Sequence, residues 1–343
     1  MTRKKTVRGF ETECVHGGEE GIFRYSPAST PIYQTSTFFF DGPEAAATVH
    51  DGEKDGFLYT RTGNPTVKAF EDKMALLEGG ESAVAFSSGM GALSAVFLQV
   101  LKPGDEVVSS SRIYGGTRSF YENVLRRMGC PVRYFEPWDE ERKIGSLITK
   151  KTKIIFFETP SNPELCIVDI GRIAALAGKR GVFTAADNTF ATPWLQRPLE
   201  AGIDCVVHSA TKYIGGHGDA IGGVVVGSER FISELRKKML LNLGACLSPF
   251  NAWLFLRGLK TLPLRMDRHC RTASEIARFL NGHPKVKTVL YPGLETHRDY
   301  EIAKAQMKDY GGMLSIRLKD REDCLRFLRR LKICRIVVSL GDA

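Results

Sequence analysis

Val206-Val-His-Ser-Ala-Thr-Lys-Tyr-Ile-Gly-Gly-His-Gly-Asp219 is the stretch that decides the fold. It opens inside a buried strand, Cys205–His208, and leaves it through two hydroxyl residues, Ser209 and Thr211, ahead of Lys212. Glycines follow at 215, 216 and 218. In α/β sheets, ligands sit where strands end in such loops, at their carboxyl ends. A lysine there loses its proton when desolvated or set near another cation. The free amine can form a Schiff base with a carbonyl, and the adjacent hydroxyls can bind a phosphate. Read alone, the stretch also fits a surface loop with an ordinary ammonium.

Working outward, short apolar runs recur at Ser82–Phe86, Glu106–Ser109, Val132–Phe135, Lys153–Phe157, Val182–Ala186 and Gly223–Val226. Helical patterns separate most of them, among them Thr66–Leu77, Thr117–Met128 and Ile170–Lys179. Strands alternating with helices predict an α/β fold, a mostly parallel sheet flanked by helices on both faces. Past Leu247 the pattern changes to long helical runs, Phe250–Leu259 and Pro263–Leu280, followed by Thr288–Tyr291, Met313–Leu318, Glu322–Leu331 and a strand-like Arg335–Ser339. That is a smaller α+β domain, and Ser248-Pro249 is the expected boundary because proline restricts the residue before it. The expected organisation is an extended arm over 1–60, a cofactor domain over 61–248 and a C-terminal α+β domain over 249–343.

Four more segments carry chemistry. Asp187 closes the Val182–Ala186 strand one strand–helix–strand step before Lys212. A carboxylate there needs a partner, and a pyridinium nitrogen is one candidate; a helix cap or turn is the other reading. Ser87-Ser-Gly-Met-Gly-Ala92 joins a strand to a helix, so its amides can hold an anion. It fails the dinucleotide fingerprint, since Ser94 stands where a third glycine belongs. A single phosphate is the better expectation, with a ligand-free turn the alternative. Tyr114, in Ile113-Tyr-Gly-Gly-Thr117, can stack on a flat cofactor. In Tyr59-Thr-Arg-Thr-Gly-Asn-Pro65, Arg61 can grip a phosphate in bidentate fashion, with Tyr59 adding a hydroxyl.

Composition excludes other classes. With 343 residues, 43% hydrophobic and 25% charged, the chain is globular and long enough for about two domains. No apolar run approaches the ~20 residues that span a bilayer, and the basic start, Met1 to Arg8, has no apolar stretch behind it. A cytoplasmic protein with no membrane partner is expected. The +9 net charge is scattered; its densest patches, Arg3 to Arg8 and Arg326 to Arg335, read as solvated faces rather than a nucleic-acid site. Eight cysteines contain no C-x-x-C, so no metal site is expected and free thiols in a reducing compartment are. Ser209-Ala-Thr-Lys212 matches the S-x-x-K of acyl-transfer enzymes, but their S-D-N and K-T-G companions are absent.

Together these segments resemble the Cys/Met-metabolism enzymes that depend on pyridoxal 5'-phosphate (PLP), the trans-sulfuration family. The resemblance spans nearly the whole chain and includes SSGMGA, ETPSNP (Glu158–Pro163), DNTFATP (Asp187–Pro193), SATKYxxGHGD and LRMDRH (Leu264–His269). It implies an aspartate-aminotransferase-like fold and the following roles. Lys212 holds PLP as a Schiff base and shuttles protons. Asp187 pairs with the ring nitrogen. Tyr114 stacks on the ring and acts as acid or base. Gly89 and Met90 amides, with Ser209 and Thr211 hydroxyls, bind the phosphate. Tyr59 and Arg61 complete that site in a neighbouring subunit, which implies a homo-oligomer, usually a dimer of dimers. Asn162 and the Ser339 main chain seat the substrate carboxylate.

The resemblance also bears on substrate. Cystathionine-processing members usually carry Glu just before Ser-Leu-Gly; Val338 stands there, which suits an apolar thioether. Against this, bacterial methionine γ-lyases usually carry Cys where this chain has Gly116. The expectation is a C–S lyase of methionine γ-lyase type. Cystathionine γ-lyase, or a γ-replacement enzyme (cystathionine γ-synthase or homoserine-ester sulfhydrylase), is the alternative. Family members continue past Ser-Leu-Gly to an arginine that grips the substrate carboxylate, so an incomplete C-terminal domain is expected here.

Overall fold

A computed structural model describes residues 8–19 and 27–343. Most of the basic start, Arg3 to Val7, lies outside the described residues, as do 20–26 of the arm. Seven strands form the main sheet: β1 (Ser82–Phe86), β2 (Glu106–Ser110), β3 (Val132–Phe135), β4 (Thr152–Glu158), β5 (Phe183–Asp187), β6 (Cys205–Ser209) and β7 (Gly223–Gly227). Their order is β1-β7-β6-β5-β4-β2-β3. The five strands β3, β2, β4, β5 and β6 run parallel, and β7 is antiparallel to both neighbours, β6 and β1.

Alternate residues of each strand serve opposite faces, and helices cover both. Val107, Ile154, Phe156, Val207 and Val225 pack under Leu93, Val96 and Phe97 of the helix Gly89–Val100. Val108, Ile155, Phe157 and Ala186 meet Ile173 and Leu176 of the helix Ile170–Gly178. Each fully buried phenylalanine among these contributes roughly 2 kcal/mol by leaving water.

Helix starts follow their capping residues. Asn64 accepts the Thr66 N–H at 2.9 Å ahead of Pro65–Glu78, and Gly79 ends that helix at φ 74°. Ser88 accepts the Gly91 N–H at 3.0 Å, and Asp169 caps the helix Ile170–Gly178. A helix over Gly115–Phe120 runs on into a wider turn, Tyr121–Leu125, within the stretch expected as one helix.

Three differences from expectation have physical causes. The arm is not wholly extended: helices form at Phe10–His16 and Pro43–His50. Cys14 of the first is buried in the core of the helix Pro65–Glu78, and the Phe10 ring packs 5.1 Å from Trp194. Next, the cores divide later than Ser248-Pro249. Ala252, Phe255 and Leu256 of the helix Pro249–Leu259 belong to the core of Phe70 and Met74. The helix Leu262–Asn281 is shared: Met266 and Cys270 face that core, whereas Ala273 and Ala277 face Val289 and Tyr291 of the smaller body. The smaller body carries a two-stranded antiparallel sheet, β8 (Thr288–Leu290) with β9 (Ser315–Arg317). Finally, Arg335–Ser339 is not a strand, because no described segment pairs with it and a strand needs a hydrogen-bonding neighbour.

Among the described residues no helix is long and apolar enough to cross a membrane. All eight cysteines are free.

Candidate active site

The parallel strands deliver their last residues to one end of the sheet. Register sets Glu158 of β4 beside Asp187 of β5, and Asp187 beside Val207 of β6, two residues before Ser209. Because β7 is reversed, its first residue, Gly223, pairs with both Ser209 and Phe86 at that same end. A Cβ on Gly223 would stand 2.3 Å from the Ser88 carbonyl oxygen, and one on Gly89 would stand 2.8 Å from the Ser209 Cβ. The start of the helix Gly89–Val100 therefore lies directly against Ser209, and only glycine permits that approach.

This juncture has the donors of an anion site. Ser88 takes the Gly91 N–H, which leaves the Gly89 and Met90 amides at the first helical turn without an acceptor in the helix. The Ser209 hydroxyl has no partner among the described residues, while its N–H donates to Thr189 Oγ1 at 2.9 Å. Thr211 differs: its hydroxyl donates to the Gly222 carbonyl at 3.3 Å and accepts the Gly222 N–H at 3.1 Å. Its oxygen sits at the juncture with its proton engaged.

Lys212 follows one turn later. Its Nζ donates to Ser339 Oγ at 3.1 Å and makes no ion pair among the described residues. Burial lowers its pKa below the usual lysine range, and the Asp342 carboxylate opposes that shift. The last residues lie over the lysine loop: Ala343 N–H donates to the Gly216 carbonyl at 2.9 Å. A Cβ on Gly218 would come within 2.8 Å of Asp342 Oδ2.

Asp187 accepts the Thr189 N–H at Oδ1, 2.9 Å, and its other oxygen has no partner among the described residues. Burial pushes its pKa up, against the Thr189 hydrogen bonds and the nearby His208. Glu158 is pushed well up, first by burial and then by the Asp187 charge. A cation set against Asp187 would relieve this, so the pair fits a protonated ring nitrogen. An unpaired amine, a buried carboxylate and free helix-start amides together suit an aldehyde, a pyridine and a phosphate. The donor set fits PLP.

Tyr114 and Asn162 flank the strand ends. The Tyr114 ring is 49% exposed, so little packing holds it. A Cβ on Gly116 would stand 2.3 Å from Tyr114 Cε1, so the glycine is what lets the ring fold back over its own chain. The Asn162 side-chain amide has no partner among the described residues; its backbone N–H donates to Glu158 Oε2 at 3.4 Å. Val338 is fully exposed in the single chain. Tyr59 and Arg61 do not hydrogen-bond to this group. Arg61 Nη1 donates to the Leu241 carbonyl at 2.7 Å, and its guanidinium lies 5.6 Å from the Tyr59 ring centre.

Sequence reasoning assigned no role to several buried polar residues here. His208 and Glu78 form a fully buried hydrogen-bonded pair behind the strand ends. Asn188 Nδ2 donates to the same Glu78 oxygen, and Gln196 Nε2 donates to Asn188 Oδ1. A polar residue inside an apolar strand, as His208 is after Cys205-Val-Val207, is the signal that could have found them.

Fold and donor set together point to the class of PLP-dependent enzymes. The family described as Cys/Met metabolism PLP-dependent enzyme matches residues 11–343, and the chain belongs to it. Over its full length the chain is 45% identical to L-methionine gamma-lyase of Fusobacterium nucleatum subsp. nucleatum, covering 86% of that protein. Its structure is similar to metB from Corynebacterium glutamicum, with TM-score 0.93, 42% identity and coverage of 98% of this chain and 85% of the other. It is also similar to cystathionine gamma-lyase from Lactobacillus plantarum, with TM-score 0.91, 38% identity and coverage of 98% and 85%.

Proposed function

We propose that this enzyme is a PLP-dependent carbon–sulfur lyase that eliminates the γ-substituent of a sulfur amino acid, with methionine as substrate and methanethiol, 2-oxobutanoate and ammonia as products. The observation that carries the reaction class is Lys212, an amine with burial-lowered pKa and no ion pair among the described residues, three residues past β6, the strand that neighbours the one Asp187 ends. The choice of methionine rests on Val338 in place of an acid and on the likeness to methionine γ-lyases.

PLP, when bound, supplies a sink for the electrons left at the substrate's α-carbon. Asp187 would keep a proton on the ring nitrogen through the carboxylate oxygen that the Thr189 N–H leaves open. The Gly89 and Met90 amides and the Ser209 hydroxyl bind the phosphate, and Thr211 joins them by giving up its proton contact to Gly222. Lys212 Nζ would hold the aldehyde group, and the freed amine would carry a proton to and from the substrate's α-carbon. Tyr114 covers the ring face, and its hydroxyl protonates the departing sulfur. Asn162 and the Ser339 main chain seat the substrate carboxylate, and Val338 meets the apolar end of the substrate. Beyond its helix Phe10–His16, which packs on this chain's own core, the described part of the arm lies against a second subunit, where Tyr59 and Arg61 complete the phosphate site. The assembly is a cytoplasmic homo-oligomer, a dimer of dimers.

A second reading, a cystathionine γ-lyase or a γ-replacement enzyme, is favoured by the similarity to the Lactobacillus plantarum enzyme and by Gly116. Product analysis separates the two readings. The purified enzyme is given methionine, cystathionine, homocysteine or O-acetylhomoserine, with and without sulfide. Methanethiol and 2-oxobutanoate from methionine, at a higher kcat/KM than for the other substrates, are expected. A sulfide-dependent product from O-acetylhomoserine with no turnover of methionine would overturn the proposal.

A further inference from the structure

Glu158 is the last residue of β4, 5% exposed, and no role in the chemistry above falls to it. Its Oε1 accepts the Tyr114 backbone N–H at 2.7 Å and the Thr117 hydroxyl at 3.5 Å. Its Oε2 accepts the Asn162 backbone N–H at 3.4 Å. Tyr114 leaves β2, and Asn162 leaves β4 itself, so one carboxylate ties together two loops that the sheet alone does not join. The Tyr114 ring is half exposed and the Asn162 amide is without a partner, so neither is fixed by its own side-chain contacts. Their positions depend on the backbone, and the backbone of each is held by Glu158.

We propose that Glu158 is a positioning residue: its two oxygens set the Tyr114 and Asn162 walls of the site together, so that ring stacking and substrate-carboxylate seating keep one fixed spacing. This rests on the roles given to Tyr114 and Asn162 above. The location is a costly one for a carboxylate. It is desolvated and stands in register with Asp187, and a buried charge is tolerated only where hydrogen bonds satisfy it. Two acceptor oxygens on one rigid fork are what the geometry uses. An amide offers one acceptor and one NH2, and so can satisfy Tyr114 or Asn162 but not both. Burial and the Asp187 charge push the Glu158 carboxyl well up. Glu158→Gln is therefore a close mimic of its neutral form, and differs chiefly in the lost acceptor.

The test uses Glu158→Gln in two states. In the cofactor-free protein, hydrogen exchange at the Tyr114 and Asn162 amides is expected to quicken at one or both positions, with neighbouring β4 amides unchanged. In the holoenzyme, kcat/KM for methionine should fall about tenfold or more, the worth of one buried hydrogen bond to a carboxyl. The fall should come with a raised KM and an altered visible circular dichroism of the cofactor, while the cofactor stays bound. Unchanged exchange at both amides would overturn the proposal, and so would a lowered Tm with unchanged kcat, KM and dichroism. If the variant does not fold, the wild-type chain still decides. The Tyr114 amide should be strongly protected although its side chain is half exposed, and exchange at the rate of an open loop would overturn the assignment. If the wild type turns over no sulfur amino acid yet the exchange change appears, the functional reading fails and the positioning role stands.

Discussion

The two walls around Lys212 are built differently. One consists of strand ends: Glu158, Asp187 and Ser209, with Gly89 pressed against them, fixed by sheet register and by hydrogen bonds at stated atoms. The other consists of residues 338–343. Val338 is fully exposed, and the segment is held by the Lys212–Ser339 and Ala343–Gly216 hydrogen bonds. The first wall cannot shift without breaking the sheet, whereas the second can adjust at small cost. Chemistry should therefore depend steeply on the strand-end wall, and substrate preference more gently on the other.

The largest effect belongs to Lys212→Ala. Turnover should fall by about 10^3-fold or more, and the visible absorbance that appears when PLP is added should vanish. A band that survives would place the attachment point elsewhere. Asp187→Asn comes next, with kcat lower by about a hundredfold because a buried, preorganised charge is removed. Steady-state kinetics at saturating PLP checks it, and a loss no greater than that of Val338 variants would dissolve the contrast between the walls. Gly116→Ala is intermediate. Its methyl would stand 2.3 Å from Tyr114 Cε1, and the half-exposed ring can swing aside without cost to the fold; a displaced aromatic stack is worth about 0.5–1.5 kcal/mol, so kcat/KM should drop about tenfold at most, with Tm unchanged.

Val338→Glu should change preference rather than rate. The side chain is exposed, and exposed ion pairs contribute about 0–1 kcal/mol, so the cystathionine-to-methionine ratio of kcat/KM should rise only a few-fold. A change of orders of magnitude would mean that position 338 is enclosed in the working assembly. Asp342→Asn is the gentlest. The Asp342 carboxylate raises the Lys212 pKa against the effect of burial. Without it, the free amine persists to lower pH, and capture of PLP by the cofactor-free enzyme should extend to lower pH. A shift the other way would remove Asp342 from the lysine's surroundings.

The sheet was legible because its strands are continuous apolar runs that end in polar residues. β1 and β3 were read at their observed bounds, and β6 within a residue. The reversed direction of β7 was not legible, since Gly-Val-Val-Val-Gly reads the same in either orientation and only its partners distinguish them. The nearness of Asp187 and Lys212 could be read from their spacing of one strand–helix–strand step, whereas the Gly89 turn joined them only through the family resemblance. Glu158 was in view inside ETPSNP without a role, because what singles it out is which amides it meets across the sheet. The shared core of Phe70 and Phe255 was hidden too, since a helix's partner is not written in its own periodicity.

Reversal of β7 also orders the assembly of the site. In the main sheet, β6 and β7 alone are neighbours joined by a loop without an intervening helix, the loop of residues 210–222 that carries Lys212. Closing it brings together segments near in sequence and costs little chain entropy. β1, by contrast, finds its only strand partner among the described residues in β7, across most of the large domain, with one further bridge from Phe86 to Cys246. During synthesis, β1 and its Ser88–Gly91 turn wait unpaired until β7 has left the ribosome. The Lys212 loop can thus close locally, whereas the meeting of the Ser88–Gly91 turn with Ser209 waits for β7.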